Sequence, residues 1–129
     1  MSNKPPKKIS IVVFSGDFNK IHYALAMAGA AAAIDIPATL LFTMEATRAL
    51  MASQENAWQS LPAEGIIKTG ATGIEMDKFL REHKVASFEE LLQACVSLDV
   101  KFMVCEMGLK AMKIDSKALR GDIPIKTGG

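Results

Sequence analysis

Two cysteines hold most of the chemistry open to this chain. Cys105 lies in VKFMVCEMGLKAM, Val100 to Met112, where a buried-strand pattern passes directly into a helical one. A thiol at that junction meets free N–H groups and the positive end of a helix dipole. Both favour the thiolate and lower its pKa from about 8.5. Glu106 opposes the shift by like-charge repulsion, whereas Lys110 and Lys113 would help if they fold back. The same position also suits a small buried hydrophobe, a common role for free Cys. Position alone leaves both readings open. Cys95 lies on the stripe Phe88, Leu91, Leu92, Cys95, Val96, which is predicted to face the core, so packing is its simpler role.

The other candidates are weaker. His22 and His83 are isolated, and no His, Cys, Asp and Glu cluster has metal-ligand spacing, so no metal is expected. SGDFNK is too short a glycine signal for a phosphate loop, and GATG lacks the strand-turn-helix setting of a dinucleotide site. No cofactor is therefore expected. Met107 and Met112 flank Cys105 and would offer a soft wall, though core filling is the commoner use of methionine.

Composition bounds what these thiols can serve. A chain of 129 residues fits a single domain over 1–129, with Met1 to Lys8 read as a solvated tail. Half the residues are hydrophobic and 22% are charged, which fits a globular protein. A net charge of +1, with one Trp and one Tyr, argues against a nucleic-acid partner. MSNKPPKK lacks the apolar core of a secretory signal. The Ala-rich run from Tyr23 to Ile34 falls short of the roughly 20 residues that span a bilayer. The expected setting is cytoplasmic and reducing, with both cysteines free.

The elements that must position Cys105 follow from apolar periodicity. Ile9 to Phe14 and Ala38 to Thr43 read as strands buried on both faces, as in a parallel sheet. Phe18 to Asp35 reads as a helix with stripe Ile21, Leu25, Ala28, Ala32, capped by Asp17 or Asn19. Glu45 to Ser53 is a predicted second helix, and Asn56 to Thr72 has no period. Ile74 to His83 is amphipathic, and Ser87 with Glu90 forms a capping box for Phe88 to Leu98. Val100 to Val104 is the next strand, Met107 to Met112 a short helix, and Ser116 to Arg120 one further turn. Strands alternating with helices predict an α/β fold, a mostly parallel sheet in a three-layer α/β/α arrangement.

Ligands of such sheets bind outside the carboxyl ends of the strands. Ser15-Gly16-Asp17, Met44-Glu45 and Cys105-Glu106-Met107 all follow predicted strands. Ser15, Gly16, Met44, Glu106 and Met107 are thus the expected pocket lining around Cys105. A disulfide to Cys95 is not expected. Helix and strand rises put the two Cα atoms about 10 Å or more apart, beyond the roughly 7 Å that a bridge allows.

The segments KKISIVVFSGDFNK, ATLLFTMEA after the Ala-rich helix, and above all SLDVKFMVCEMGLKAMKID resemble the DsrE/DsrF-like family of small sulfur-relay proteins, in its branch labelled peroxiredoxin-like. The resemblance runs from Lys7 to about Leu119 and is poor over Asn56 to Thr72. It implies a three-layer sheet and a cysteine, here Cys105, that carries sulfur as a persulfide. Cys95 matches a second cysteine found in some members. The resemblance also implies sulfur-donor and sulfur-acceptor protein partners. Assembly into trimers or hexamers is implied as well, for which the small-residue face of Phe18–Asp35 is the expected contact. Relatives continue into a final strand after the segment matching Gly121 to Lys126, and its presence here is in question.

The leading expectation is a sulfur carrier or sulfurtransferase acting through Cys105. The rival is a small-ligand or interaction module on the same fold, in which Cys105 only packs. Thiol peroxidase chemistry is a third option, but it needs a resolving thiol that Cys95 is too distant to supply.

Overall fold

Asp17 starts the first helix. Its carboxylate accepts a hydrogen bond from the Lys20 N–H at 3.1 Å, and its other oxygen accepts from the Glu64 N–H at 3.2 Å. Ser87 and Glu90 form the predicted capping box, with the Ser87 N–H donating to Glu90 at 2.8 Å and the Glu90 N–H to Ser87 at 3.2 Å. These signals fix where the helices begin in the computed structural model, which describes residues 7–52 and 57–128.

The strands are β1 (Ile9–Val13), β2 (Ala38–Phe42), β3 (Lys101–Cys105) and β4 (Ile125–Gly128). The helices are α1 (Phe18–Ala33), α2 (Gly73–Glu82), α3 (Phe88–Ser97) and α4 (Glu106–Met112). Short 3-10 segments cover Met44–Leu50, Trp58–Ser60 and Ser116–Ala118. Among the described residues the sheet has four strands in the order β1-β2-β3-β4, and every pair is parallel. A wholly parallel sheet with helices is the α/β class predicted.

Register explains which residues share a face. Ile11, Leu40, Phe102 and Ile125 form one row across the sheet, and Val13, Phe42, Val104 and Thr127 the next. This face is the buried one. Phe42 and Phe102 stack on it with centroids 6.2 Å apart, and the core continues into Phe18, Leu25, Phe88 and Leu92 of the helices α1 and α3. Each fully buried side chain of this size contributes about 1.5–3 kcal/mol relative to exposure. Small residues let α3 approach α1 closely: a Cβ on Gly29 would stand 3.6 Å from Cys95 Sγ. Part of the small-residue face expected to serve assembly is thus used inside the chain.

The opposite face is different. Val12, Leu41, Met103 and Lys126 form a row there, followed by Cys105 and Gly128. Leu41, Met103 and Cys105 are only half-buried, and Val12 and Phe14 are each 63% exposed. The prediction that β1 is buried on both faces therefore does not hold. The cause is topological. Parallel crossovers are right-handed, so a strand order that never reverses sends successive connections to the same face.

Three further differences stand out. The expected helix Glu45–Ser53 is a 3-10 segment ending at Leu50, entered through Met44 at φ 53°; Ser53 lies outside the described residues. The stretch without period, whose Asn56 is also outside them, docks through buried Trp58, whose ring stacks on Phe88 at 4.8 Å. The final strand in question is present as β4, paired with β3 from Phe102↔Ile125 to Cys105↔Gly128. The predicted tail lies outside the description over residues 1–6, and Lys7 and Lys8 are exposed.

Candidate functional site

Cys105 ends β3 and is the N-cap residue of α4, with extended backbone at φ −74° and ψ 122°. Its side chain is half-buried, and both cysteines are free thiols. The thiol makes no full cap hydrogen bond, yet donors lie close enough to favour its ionised form. The Gly108 N–H and then the Thr43 hydroxyl hold the Cys105 pKa below its ordinary value, with a smaller contribution from the Met107 N–H. Desolvation and the Glu106 carboxylate pull the other way. The sequence names the helix start and Glu106 as opposing influences and leaves the sign of the net shift open; in the structure the balance is downward.

Thr43 is the residue that sequence reasoning missed. It follows Phe42, whose register partner is Val104, so Thr43 stands beside Cys105 on the neighbouring strand. A Cβ on Gly108 would lie 2.8 Å from Thr43 Oγ1 and 2.9 Å from the Met44 nitrogen. Glycine at 108 is what allows α4 to close onto the end of β2. Strand parity was the available signal: Cys105 and Met103 share a face, and in parallel register Leu41 and Thr43 must share it too.

The remaining expected lining is spread more widely. Gly16 packs against the residue after Met44, where an added Cβ would meet Glu45 Cβ at 2.8 Å. Ser15 accepts a hydrogen bond from the Asp17 N–H at 3.1 Å and lines a hollow with Phe14, Lys20, Tyr23 and Met27. Met44 is half-buried beside Thr43 and Gly108. Glu106 and Met107 are exposed in the first turn of α4, and Glu106 shares a separate hollow of about 370 Å³ with Lys110 and Lys113. Cys105 itself opens onto a cavity of about 290 Å³ across the sheet's less covered face, lined by Val12, Leu41, Met103 and Gly128 among others.

Cys95 is far less reactive. It is fully buried, its Sγ donates to the Leu25 carbonyl at 3.3 Å, and burial pushes its pKa up to about 11. His22 is held by the Ala86 carbonyl at 2.9 Å, and His83 by the Phe79 carbonyl at 2.8 Å. Among the described residues no group of three metal-ligating side chains comes together, and no helix is long and apolar enough to cross a membrane.

The chain is 27% identical over 134 residues to an uncharacterized protein, YrkE, of Bacillus subtilis (strain 168), spanning 91% of this chain and 84% of that one. The model of the DsrE/DsrF/DrsH-like family matches residues 44–128, from the end of β2 through Cys105 to β4. With two thirds of its length matched and a parallel α/β sheet to carry it, the chain belongs to the DsrE/DsrF/DrsH-like family.

Proposed function

We propose that this protein is a sulfur carrier, in which Cys105 accepts sulfane sulfur as a persulfide and hands it to a thiol on a partner protein. The observation that carries the reading is the setting of Cys105. It is free, half-exposed and at a strand end, and the Gly108 N–H and Thr43 hydroxyl favour its thiolate. Sulfur exchange needs an accessible and partly ionised thiol, because the thiolate is the attacking species. Family membership supports the same chemistry.

Cys105 acts without Cys95 in this reading. The buried Cys95 thiol, with its pKa pushed up to about 11, is a poor nucleophile at neutral pH. The resolving partner is therefore another molecule. Donor and acceptor are proteins in a reducing cytoplasm, and the carrier works as a homo-oligomer.

Intact-mass analysis after exposure to a persulfide donor tests the proposal. Wild type and Cys95→Ser should each gain one sulfur atom, and Cys105→Ser none. A Cys105→Ser protein that still gains a sulfur atom sinks the assignment.

A further inference from the structure

The cavity beside Cys105 has the size and lining of a ligand site. Its volume is about 290 Å³, near the lower end of small-molecule pockets, which start at roughly 300 Å³. Val12, Leu41 and Met103 supply its apolar wall, Thr39 and Ser10 close its far end, and Cys105 and Gly128 stand at the other. No charged residue lines it. Lys101 and Lys126 lie on the same face of the sheet but are exposed and outside the lining. The one carboxylate acting on the thiol, Glu106, adds negative charge beside the point of attack.

We propose that this cavity admits a small-molecule sulfur donor to Cys105 beside its protein donors, and that this donor is a hydropersulfide with an apolar R group, reacting in its protonated form, R–S–S–H. The inference rests on the sulfur-carrier reading and names the donor class of the same site. Charge decides it. A dianion such as thiosulfate would lose hydration against a lining that holds no cation, with no ion pair there in return. An apolar R group instead buries surface against Val12, Leu41 and Met103. Its outer sulfur is then presented toward Cys105.

The exchange balances without an outside oxidant. The Cys105 thiolate attacks the outer sulfur of R–S–S–H, and a new S–S bond forms as the old one breaks. R–S⁻ leaves with the electron pair of the broken bond and takes up the persulfide proton. The products are Cys105–S–S⁻ and R–SH, so one sulfane sulfur has moved between thiols and no electrons are lost.

The test compares loading rates of full-length Cys95→Ser protein with benzyl hydropersulfide, glutathione hydropersulfide and thiosulfate, each divided by its rate with free N-acetylcysteine. The benzyl donor should be favoured by about tenfold, the scale of burying a few apolar groups. Val12→Glu, at an exposed position, should abolish that preference. Equal normalised rates for the benzyl and glutathione donors would refute the cavity's role while leaving Cys105 as a carrier. Loading that persists in Cys105→Ser would refute the carrier reading and the donor class with it. If sedimentation shows that Val12→Glu dissociates an oligomer and the benzyl preference survives, the face is a contact between copies and the proposal fails.

Discussion

Gly108 and Thr43 approach so closely that a Cβ on the glycine would stand 2.8 Å from the threonine Oγ1. The contact sets the start of α4 against the end of β2, and the Cys105 thiol lies between the donors it brings together. Gly108→Ala should destabilise the fold by about 1–3 kcal/mol, because the strand-end backbone at Met44 leaves its new methyl little room. Chemical denaturation measures the loss. The same variant should raise the Cys105 pKa, because the crowded methyl shifts the residue 108 N–H, the largest contribution to the lowering, away from the thiol.

Thr43→Val removes the hydroxyl and keeps the branched shape. The Cys105 thiolate loses its second donor, so its pKa should rise and the ionised fraction at neutral pH should fall. Alkylation by iodoacetamide across a pH series reads this directly. The midpoint should move to higher pH in Thr43→Val and return toward wild type in Thr43→Ser. An unmoved midpoint would show that the hydroxyl does not act on the thiol.

Cys95 gives the protein an alkaline weakness. Its folded pKa is raised to about 11 from an ordinary value of 9.0. The folded state therefore holds its proton more tightly, and the resulting stability is complete below pH 9 and disappears as pH rises toward 11. The loss should be on the order of 2–3 kcal/mol, the linkage equivalent of a shift from 9.0 to about 11. Denaturant midpoints between pH 8 and 11 should fall further for wild type than for Cys95→Ala.

Arg120 ties the final segment to α3. Its guanidinium donates to both Glu89 oxygens at 2.8 Å and to Asp122 at 2.7 and 2.8 Å, and Trp58 adds a hydrogen bond to Glu89 at 2.9 Å. Arg120 holds the Glu89 and Asp122 carboxyls below their usual range. The stability they add is present above the ordinary carboxylate pKa and is lost as pH falls through the depressed values. Arg120→Met should cost about 1–3 kcal/mol near neutral pH, because it leaves the half-buried Glu89 without its cation. The difference from wild type should shrink in acid, which a urea titration at several pH values would show.

Much of the fold was legible from local signals. The Ser87–Glu90 box placed one helix start to the residue, Asp17 was one of two caps offered for another, and β-branched runs placed three strands. Cys105 was correctly put at the end of a strand and the head of a helix, because that boundary is written in a change of period. Strand order was not legible. Whether a parallel sheet reverses direction depends on long-range packing, and that choice leaves Val12 and Phe14 exposed and opens the face below Cys105. Thr43 was missed for a related reason, since its proximity to Cys105 comes from register between β2 and β3 and from the lack of a side chain at Gly108.

The unreversed strand order has a consequence for biosynthesis. Each strand docks on an edge made by residues that precede it, so the sheet can grow as the chain emerges, without waiting to thread a later strand between earlier ones. β3 is itself an edge until Ile125–Gly128 pairs with it. Cys105 therefore acquires its second neighbouring strand last. A nascent chain stalled before Ile125 would display the thiol on an unfinished rim, and the surroundings of Cys105 would be the last part of the described sheet to mature.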